Sequence, residues 1–295
     1  GFHTYGVDPA TNLHGISTGK GHNVTCGYFD LEFTNTTVST FMGDVQMKYD
    51  ILVAQNVFAH NPDPVAFLRN ARKLMYDESF LFIQTSQSDM ILNNEFDTIY
   101  HEHISFYNVN SMNEVCKRAD VYLYDVIKCP LHGNSYIFVV TRDPNKERKA
   151  HIDNLIAMEK KAGLMSEQTY IDYEKKCKQI IEDFRDTVDA YVRNDVGWLA
   201  IGYGAAAKGM TLLNASKARL DFIVDDNPLK QGKFTPGTGI PIVSSDELTK
   251  HKDACLFVPL AWNFFDEIKS KIKAKHHDPH DEYVRYFPYV VVQRG

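Results

Sequence analysis

The sequence predicts an α/β protein with two domains. Short apolar runs suited to strands occur at 2–7, 49–55 and 79–84, and helix-compatible stretches such as 64–74 separate them. Strands that alternate with helices form βαβ units and a parallel sheet. A second α/β pattern begins at 198–201 and continues into a glycine-rich turn and a helix. The length of 295 residues agrees with two domains, because single cores stop growing at roughly 250–300 residues.

The pattern along the chain sets the domain boundaries that we predict. Aromatic-rich runs at 121–127 and 135–140 suggest a hairpin added to the first sheet, so the first domain spans 1–142. A charged linker and a long amphipathic helix fill 143–196, and a Rossmann-like domain fills 197–295. The helix is predicted by apolar residues at helical spacing, namely Tyr170, Tyr173, Cys177, Ile180, Ile181, Phe184, Val188 and Tyr191.

Composition and charge exclude several classes of protein. With 32 Lys+Arg against 38 Asp+Glu and no long basic run, the chain lacks the electrostatic pattern of a nucleic-acid-binding protein. No apolar run reaches the roughly 18–20 residues that span a bilayer, and no signal peptide is visible, so we expect a cytoplasmic protein without membrane contact. The five scattered cysteines indicate neither a disulfide framework nor a zinc ribbon, and we predict no metal.

The first candidate site is a dense group of proton-handling side chains, Tyr100-His101-Glu102-His103. Removal of a proton beside a ketone needs a base for the α-proton and donors for the resulting enolate, and His, Glu and Tyr can supply both. Two other interpretations remain open. His101 and His103 could share one face of a strand and bind a metal, or the segment could be a hydrogen-bonded structural loop.

Three further positions fall at predicted strand ends, where α/β sheets bind ligands. Asp8 ends the first strand, and Pro9 stands where a helix would begin. A carboxylate there can bind ribose hydroxyls, although it can equally cap the next helix. Asn56 and His60 follow the strand 49–55, so both are expected at its carboxyl end.

A glycine-rich turn opens the second domain, and it includes Gly202, Gly204 and Lys208. Such a turn offers backbone N–H groups to a phosphate, and the lysine adds a positive charge. The turn also matches G-x-G-x-x-A, with Asp225 and Asp226 near the distance expected of a ribose-binding acid. An NAD-dependent oxidoreductase is therefore an alternative, and so is a turn that merely connects strand to helix.

The chain resembles the sugar C-methyltransferases that act on keto-deoxysugars attached to dTDP. The resemblance covers nearly the whole length. It rests on the segments 6–9, 56–63, 96–107, 132–135, 202–213, 225–238 and 261–263.

This resemblance implies a class I methyltransferase-type Rossmann-like domain, incomplete at its N-terminus, followed by a second Rossmann-like α/β domain. It implies methyl transfer from S-adenosylmethionine to a carbon, C3, of a dTDP-linked 4-ketosugar through an enolate. The family's sugar site corresponds to Tyr100, Glu102, His103 and His60, with His103 as the base and Glu102 orienting it. The oligomeric state is not specified.

The remaining assignments also come from the resemblance. Cofactor contacts are expected at Asp8, Pro9 and Asn56, and substrate contacts at Gly202, Gly204, Lys208, His132 and Asn134. The family's N-terminal zinc-binding segment and its first glycine-rich loop have no counterpart in these residues, and Asn134 replaces a glycine. Because the chain starts at Gly1 inside an apparent strand, we expect a further segment upstream. A non-catalytic sugar-nucleotide-binding remnant is the third alternative.

Overall fold

A computed structural model describes residues 3–30, 48–86, 88–129, 135–192 and 198–295. The chain divides into two compact units. The first unit comprises 1–87 and 104–159, and the second unit comprises 88–103 and 160–295. Residues 88–103 thus lie in the second unit, although they come from within the segment 1–142. The domain boundaries at 142 and 196 stay a prediction.

The first unit contains a two-stranded and a four-stranded sheet. In the first sheet β1 pairs with β2 in parallel, and the second has the order β3-β4-β6-β5. Strands β3 and β4 are parallel, whereas β6 is antiparallel to both of its neighbours. The elements are β1 (Tyr5–Asp8), α1 (Thr11–Gly19), β2 (Asn23–Cys26), β3 (Tyr49–Gln55), α2 (Pro64–Lys73), β4 (Met75–Ser86), α3 (Val109–Arg118), β5 (Tyr122–Cys129), β6 (Ser135–Thr141) and α4 (His151–Lys161).

Local sequence signals explain why α2 begins where it does. The Asp63 side chain accepts a hydrogen bond of 2.9 Å from the Ala66 N–H, and Pro64 occupies the first turn, where its missing N–H costs nothing. The buried face of this helix includes Phe67 and Leu68, which pack into the core of the first unit. The helix therefore fixes the loop 56–63 that precedes it.

The second unit contains one six-stranded sheet of order β12-β11-β10-β7-β8-β9. All neighbouring pairs are parallel except β11 with β12. The elements are α5 (Glu167–Val192), β7 (Leu199–Tyr203), α6 (Ala207–Ser216), β8 (Phe222–Val224), β9 (Ile242–Val243), β10 (Cys255–Pro259), α7 (Phe265–Lys273), β11 (Glu282–Arg285) and β12 (Val291–Arg294).

The helix α5 confirms the amphipathic pattern read from the sequence. Its residues Cys177, Ile180, Phe184 and Val188 are buried and recur every three or four positions. They join the core formed with β7, α6 and β10. No described helix has the length and apolarity required to cross a membrane.

The coarse expectation of an α/β protein is confirmed, with mixed rather than purely parallel sheets. The strands at 49–55 and 255–259 and the hairpin of β5 and β6 lie where the sequence places them. Strands β2, β9 and β11 were missed. Residues 100–106 form turns and irregular backbone, so the strand on which His101 and His103 would share one face is wrong.

Candidate functional site

The segment 88–103 is anchored in the second unit by buried contacts. Phe96 packs edge-on against Phe287, with ring centroids 5.3 Å apart, and belongs to the core that includes α5. The Tyr173 hydroxyl donates a 2.7 Å hydrogen bond to the Glu95 carbonyl. The Asn94 side chain donates to the Pro288 carbonyl at 3.0 Å. The polar cluster at 100–103 therefore follows directly on residues that pack into the second unit.

Tyr100 and His103 form the central couple of the cluster. The His103 Nε2 lies 3.1 Å from the Tyr100 hydroxyl oxygen, and its Nδ1 lies 2.8 Å from the Thr98 carbonyl oxygen. A carbonyl oxygen only accepts hydrogen bonds, so Nδ1 carries a proton. In the neutral ring Nε2 is then the acceptor, and Tyr100 donates to it. In this arrangement the Nε2 lone pair of His103 accepts the hydrogen bond of the Tyr100 hydroxyl.

The Tyr100 hydroxyl is suited to donate rather than to ionise. Burial raises its pKa above the usual value, and the negative charges of Glu102 and Asp97 add to this shift. Glu102 is exposed, and one of its oxygens lies 4.0 Å from the exposed His101 Nε2. The expectation that Glu102 orients His103 stays a prediction, since the Thr98 carbonyl holds the Nδ1 atom in this structure.

Asp97 is a buried acid that interacts electrostatically with Tyr100, and the sequence did not single it out as a site residue. Asp97 is 0% exposed, and its Oδ2 accepts a 2.7 Å hydrogen bond from the Trp262 indole N–H. Burial raises the pKa of Asp97, and the positive charge of Lys208 and the indole N–H oppose this shift. The Lys208 ammonium lies 5.2 Å from the centre of a Trp262 ring, in cation–π range.

A second buried acid lies two residues earlier. Glu95 is 5% exposed, and its Oε1 accepts a 2.7 Å hydrogen bond from the Asn93 side chain. Burial raises its pKa to about 7, while Asn93 and Lys208 act to lower it. Glu95, Asp97 and Lys208 are therefore close enough to act on one another electrostatically.

The glycine-rich turn connects β7 to α6, as the sequence predicts. Gly204 has φ +91°, a conformation that favours glycine, and a Cβ on Gly202 would approach the Ile223 side chain within 2.8 Å. Lys208 lies in the first turn of α6. The turn thus brings Lys208 to Asp97, although the two residues are far apart in sequence.

The two acids that suggested a dinucleotide site stabilise the turn instead. Asp225 Oδ2 accepts from the Ala205 N–H at 2.7 Å and from Lys230 at 3.2 Å, and its Oδ1 accepts from the Asn227 N–H. Asp226 accepts from the Tyr203 hydroxyl at 2.8 Å and from Lys271 at 3.0 Å. Because all four carboxylate oxygens already bond to the protein, this observation disfavours a ribose clamp.

The predicted cofactor residues lie in the first unit, each near the carboxyl end of a strand. Asp8 ends β1, is exposed, and accepts a 2.7 Å hydrogen bond from the Ala10 N–H through Oδ1. Pro9 stands two residues before the start of α1, whose N-cap, Ala10, has no side-chain cap. Asn56 follows β3 with φ 52°, and its N–H donates to the Gln84 carbonyl.

The other predicted residues differ in how far the structure describes them. His60 lies in the short 3₁₀ helix Phe58–His60 of the first unit and is half-buried. The Ala59 carbonyl beside it accepts from the N–H groups of Ile104 and Ser105. His132 and Asn134 lie outside the described residues.

The predicted site residues therefore fall into two groups. Tyr100, Glu102 and His103 share the second unit with the glycine-rich turn and Lys208. Asp8, Pro9, Asn56 and His60 belong to the first unit. Asp97 and Trp262 both lie in segments singled out by the resemblance, but their 165-residue separation gave no sign of their contact.

Comparison with known families identifies the class of protein. Residues 130–288 match the C-methyltransferase C-terminal domain, and residues 1–126 match a methyltransferase domain. The first match alone covers more than half of the chain, so this chain belongs to the C-methyltransferase family.

The chain is similar to one curated relative in particular, the C-methyltransferase NovU of Streptomyces niveus. The two are 29% identical over 268 residues, which cover 89% of this chain and 62% of NovU. The chain thus spans less than two thirds of the length of this relative.

Similarity to solved structures is low. An S-adenosylmethionine-dependent methyltransferase from Clostridium acetobutylicum has a TM-score of 0.36 and 10% identity, covering 48% of this chain and 76% of its own. An N-methyltransferase from Haemonchus contortus has a TM-score of 0.31 and 10% identity, covering 96% and 69% respectively. Similarity at this level carries no argument about function.

Proposed function

We propose that this chain forms the greater part of an enzyme that transfers a methyl group from S-adenosylmethionine to a carbon of a nucleotide-linked 4-ketosugar. The acceptor carbon is C3, and the reaction passes through an enolate. Membership of the C-methyltransferase family supports the transfer to carbon. The single observation that carries the proposal is the Tyr100–His103 couple, in which the imidazole Nε2 lies 3.1 Å from a hydroxyl whose pKa is raised.

The base in this proposal is His103. Proton removal from C3 transfers the proton to Nε2, and the Nδ1–H stays on the Thr98 carbonyl, which keeps the ring in place. The resulting imidazolium lies near the negative charges of the segment. We assign Glu102 and Asp97 to balance that charge, Glu102 from the exposed side and Asp97 from the buried side.

The enolate in this proposal is stabilised by Tyr100. When a ketone oxygen approaches, the hydroxyl turns from His103 Nε2 to that oxygen, which frees the imidazole lone pair for the C3 proton. Because burial and two nearby acids raise its pKa, Tyr100 stays protonated and donates a hydrogen bond to the developing oxyanion. His60 is a further proposed contact for the sugar.

The cofactor residues fit the proposal at the carboxyl ends of their strands. The Asp8 carboxylate is exposed and uses Oδ1 to hold its own turn, which fits acceptance of ribose hydroxyls by the carboxylate. Pro9 and Asn56 are the neighbouring proposed contacts. S-adenosylmethionine, when bound, supplies an electrophilic methyl group on a sulfonium.

The nucleotide end of the substrate is assigned to the glycine-rich turn. Gly202 and Gly204 let the backbone approach a diphosphate, and Lys208 supplies the cation. His132 and Asn134 are proposed substrate contacts by resemblance only. We also infer that the six-stranded sheet with α5, α6 and α7 is a second Rossmann-like domain, supported by its five consecutive parallel strands.

Replacement of His103 tests the proposal. In the complete protein, His103→Asn keeps a donor for the Thr98 carbonyl but removes the basic nitrogen. Turnover should fall by about 10²–10⁴, the usual contribution of a general base, while sugar-nucleotide affinity stays within a few fold. His101→Asn is the matched control, because the His101 side chain is 90% exposed, and its turnover should be unchanged. Unchanged turnover of His103→Asn would remove His103 from this role.

A thermal-shift panel distinguishes the alternatives. S-adenosylhomocysteine and dTDP should each raise the melting temperature of the complete protein, and NAD should not. Stabilisation by NAD alone would favour the oxidoreductase. Stabilisation by dTDP with no methylation of any 4-ketosugar would favour a binding remnant.

A further inference from the structure

A second group of reactive side chains lies at the opposite edge of the six-stranded sheet. Cys255 is the first residue of β10, Asp281 directly precedes β11, and His276 follows α7. Parallel strands begin at the same edge of a sheet, so these residues lie at the amino ends of β10 and β11. The glycine-rich turn follows the carboxyl end of the neighbouring β7, so the group is separate from the proposed methyl-transfer site.

The three side chains converge in a buried place. His276 Nε2 lies 3.1 Å from Asp281 Oδ1, and the Cys255 sulfur, one ring nitrogen of His276 and one carboxylate oxygen of Asp281 lie within 4.8 Å of one another. The residues are 1% exposed for Cys255, 3% for His276 and 2% for Asp281. The Cys255 N–H also donates to Asp281 Oδ1 at 3.1 Å, and the Cys255 thiol donates to the Asp253 carbonyl at 3.3 Å, so the three residues form one buried, hydrogen-bonded cluster.

A fourth polar atom close by lacks a partner. Tyr283 is 0% exposed, and its hydroxyl has no hydrogen-bond partner among the described residues. Its ring stacks on Phe257, whose ring also contacts His276. Asp281 and Cys255 are the titratable groups that interact electrostatically with the Tyr283 hydroxyl. A buried hydroxyl without a partner costs about 1–3 kcal/mol, so an unassigned ligand beside it would explain its retention.

In contrast to the absence of a metal predicted from the sequence, we propose that Cys255, His276 and Asp281 bind one divalent cation of the zinc type. Sulfur, nitrogen and oxygen donors together suit a borderline ion such as Zn²⁺, with bonds of about 2.0–2.3 Å. Tetrahedral ligands at those bond lengths lie roughly 3.3–3.7 Å apart. His276 and Asp281 are already near this separation, and a small inward shift of the thiol completes the set.

Binding is balanced by loss of one proton. The Cys255 thiol releases its proton to solvent as the sulfur–metal bond forms. The His276 Nε2 proton, which bonds to Asp281 in the metal-free protein, shifts to Nδ1, so that the Nε2 lone pair and the Asp281 carboxylate each bind the ion. The Tyr283 hydroxyl or a water supplies the fourth ligand. Burial excludes a substrate, so the ion has a structural role, tying the start of β10 to the loop before β11.

Cobalt binding tests the proposal because Co²⁺ reports its ligands by absorption. The metal-stripped 295-residue chain, titrated with Co²⁺, should take up one ion per chain and show a thiolate-to-cobalt charge-transfer band. Cys255→Ala should abolish the band. Cys177→Ala is the matched control, a buried cysteine of the same unit outside the cluster, and should keep it. Zn²⁺ should displace the cobalt and raise the melting temperature of the unaltered chain.

The outcomes separate a metal site from a simple hydrogen-bond network. Absence of the charge-transfer band in the unaltered chain, or its persistence in Cys255→Ala, would overturn the proposal. If Cys255→Ala does not fold by tryptophan fluorescence, His276→Gln serves in its place and should weaken Co²⁺ binding by at least about tenfold. None of these readouts depends on methyl transfer, so they stand apart from the proposed function.

Discussion

The buried acid Glu95 should make the stability of the second unit depend on pH. Burial raises its pKa from 4.5 to about 7, so the folded protein binds this proton more tightly than the unfolded chain does. A raised carboxyl pKa means that stability is greatest below about pH 4.5 and declines as pH rises through about 7. Glu95→Gln removes the ionisation and keeps an oxygen to accept from Asn93.

The size of the effect follows from the shift. The difference between 4.5 and about 7 corresponds to about 3 kcal/mol at 1.36 kcal/mol for each pKa unit. At pH 8 the ionised Glu95 therefore costs the folded state on the order of 3 kcal/mol, and at pH 5 it costs less than about 1 kcal/mol. The substitution should stabilise the protein by about these amounts at the two pH values.

The assay is urea unfolding followed by tryptophan fluorescence. Both tryptophans, Trp198 and Trp262, lie in the second unit, so the signal reports the unit that contains Glu95. The difference in unfolding free energy between Glu95→Gln and the unaltered chain should grow by about 2–3 kcal/mol from pH 5 to pH 8. Glu182→Gln, at an exposed position of α5, should change it by less than about 0.5 kcal/mol at either pH. A difference for Glu95→Gln that stays constant with pH would show that this carboxyl titrates normally in the folded protein.

Two further substitutions test the packing that supports the candidate site. Trp262→Phe removes the indole donor to buried Asp97 and should lower the free energy of unfolding in urea by about 1–3 kcal/mol. The loss should be larger at pH 8 than at pH 5, because the indole N–H stabilises the ionised form of Asp97. Equal stability would mean that the hydrogen bond contributes nothing. Gly209→Ala places a Cβ 2.7 Å from the Leu260 Cβ and should lower the free energy of unfolding by about 1–3 kcal/mol. Gly15→Ala is the control: its Cβ would have nothing within 4 Å, so it should be neutral or slightly stabilising. A neutral Gly209→Ala would show that α6 moves aside freely.

The segment 100–103 illustrates how far residue types alone lead toward a functional hypothesis. The density of His, Glu and Tyr at 100–103 predicts proton transfer, with a metal site and a structural loop as the alternatives that the residues leave open. The sequence did not show which atoms His103 and Tyr100 bond to. The bond from His103 to the Thr98 carbonyl depends on a turn, and the pattern of side chains gives no signal for a turn without glycine or proline.

The acids at 225 and 226 show the opposite case, in which a motif matched but its geometry did not. Their distance from the glycine-rich turn suggested a ribose clamp. In the structure Asp225 bonds to the Ala205 N–H and Asp226 to the Tyr203 hydroxyl. Spacing places a carboxylate near a turn, but the turn's own unsatisfied N–H groups compete for it, and only the three-dimensional structure shows the outcome.

The sequence by itself determined the α/β class, the strand at 49–55 and the long helix 167–192, because periodicity is a local property. Tertiary structure alone decided that residues 88–103 pack with the second unit and that Asp97 meets Trp262 across 165 residues. It also brought Cys255 together with His276 and Asp281, which lie in the loop before β11. Such pairings depend on which apolar surfaces bury one another, and burial is a property of the whole fold rather than of any stretch of sequence.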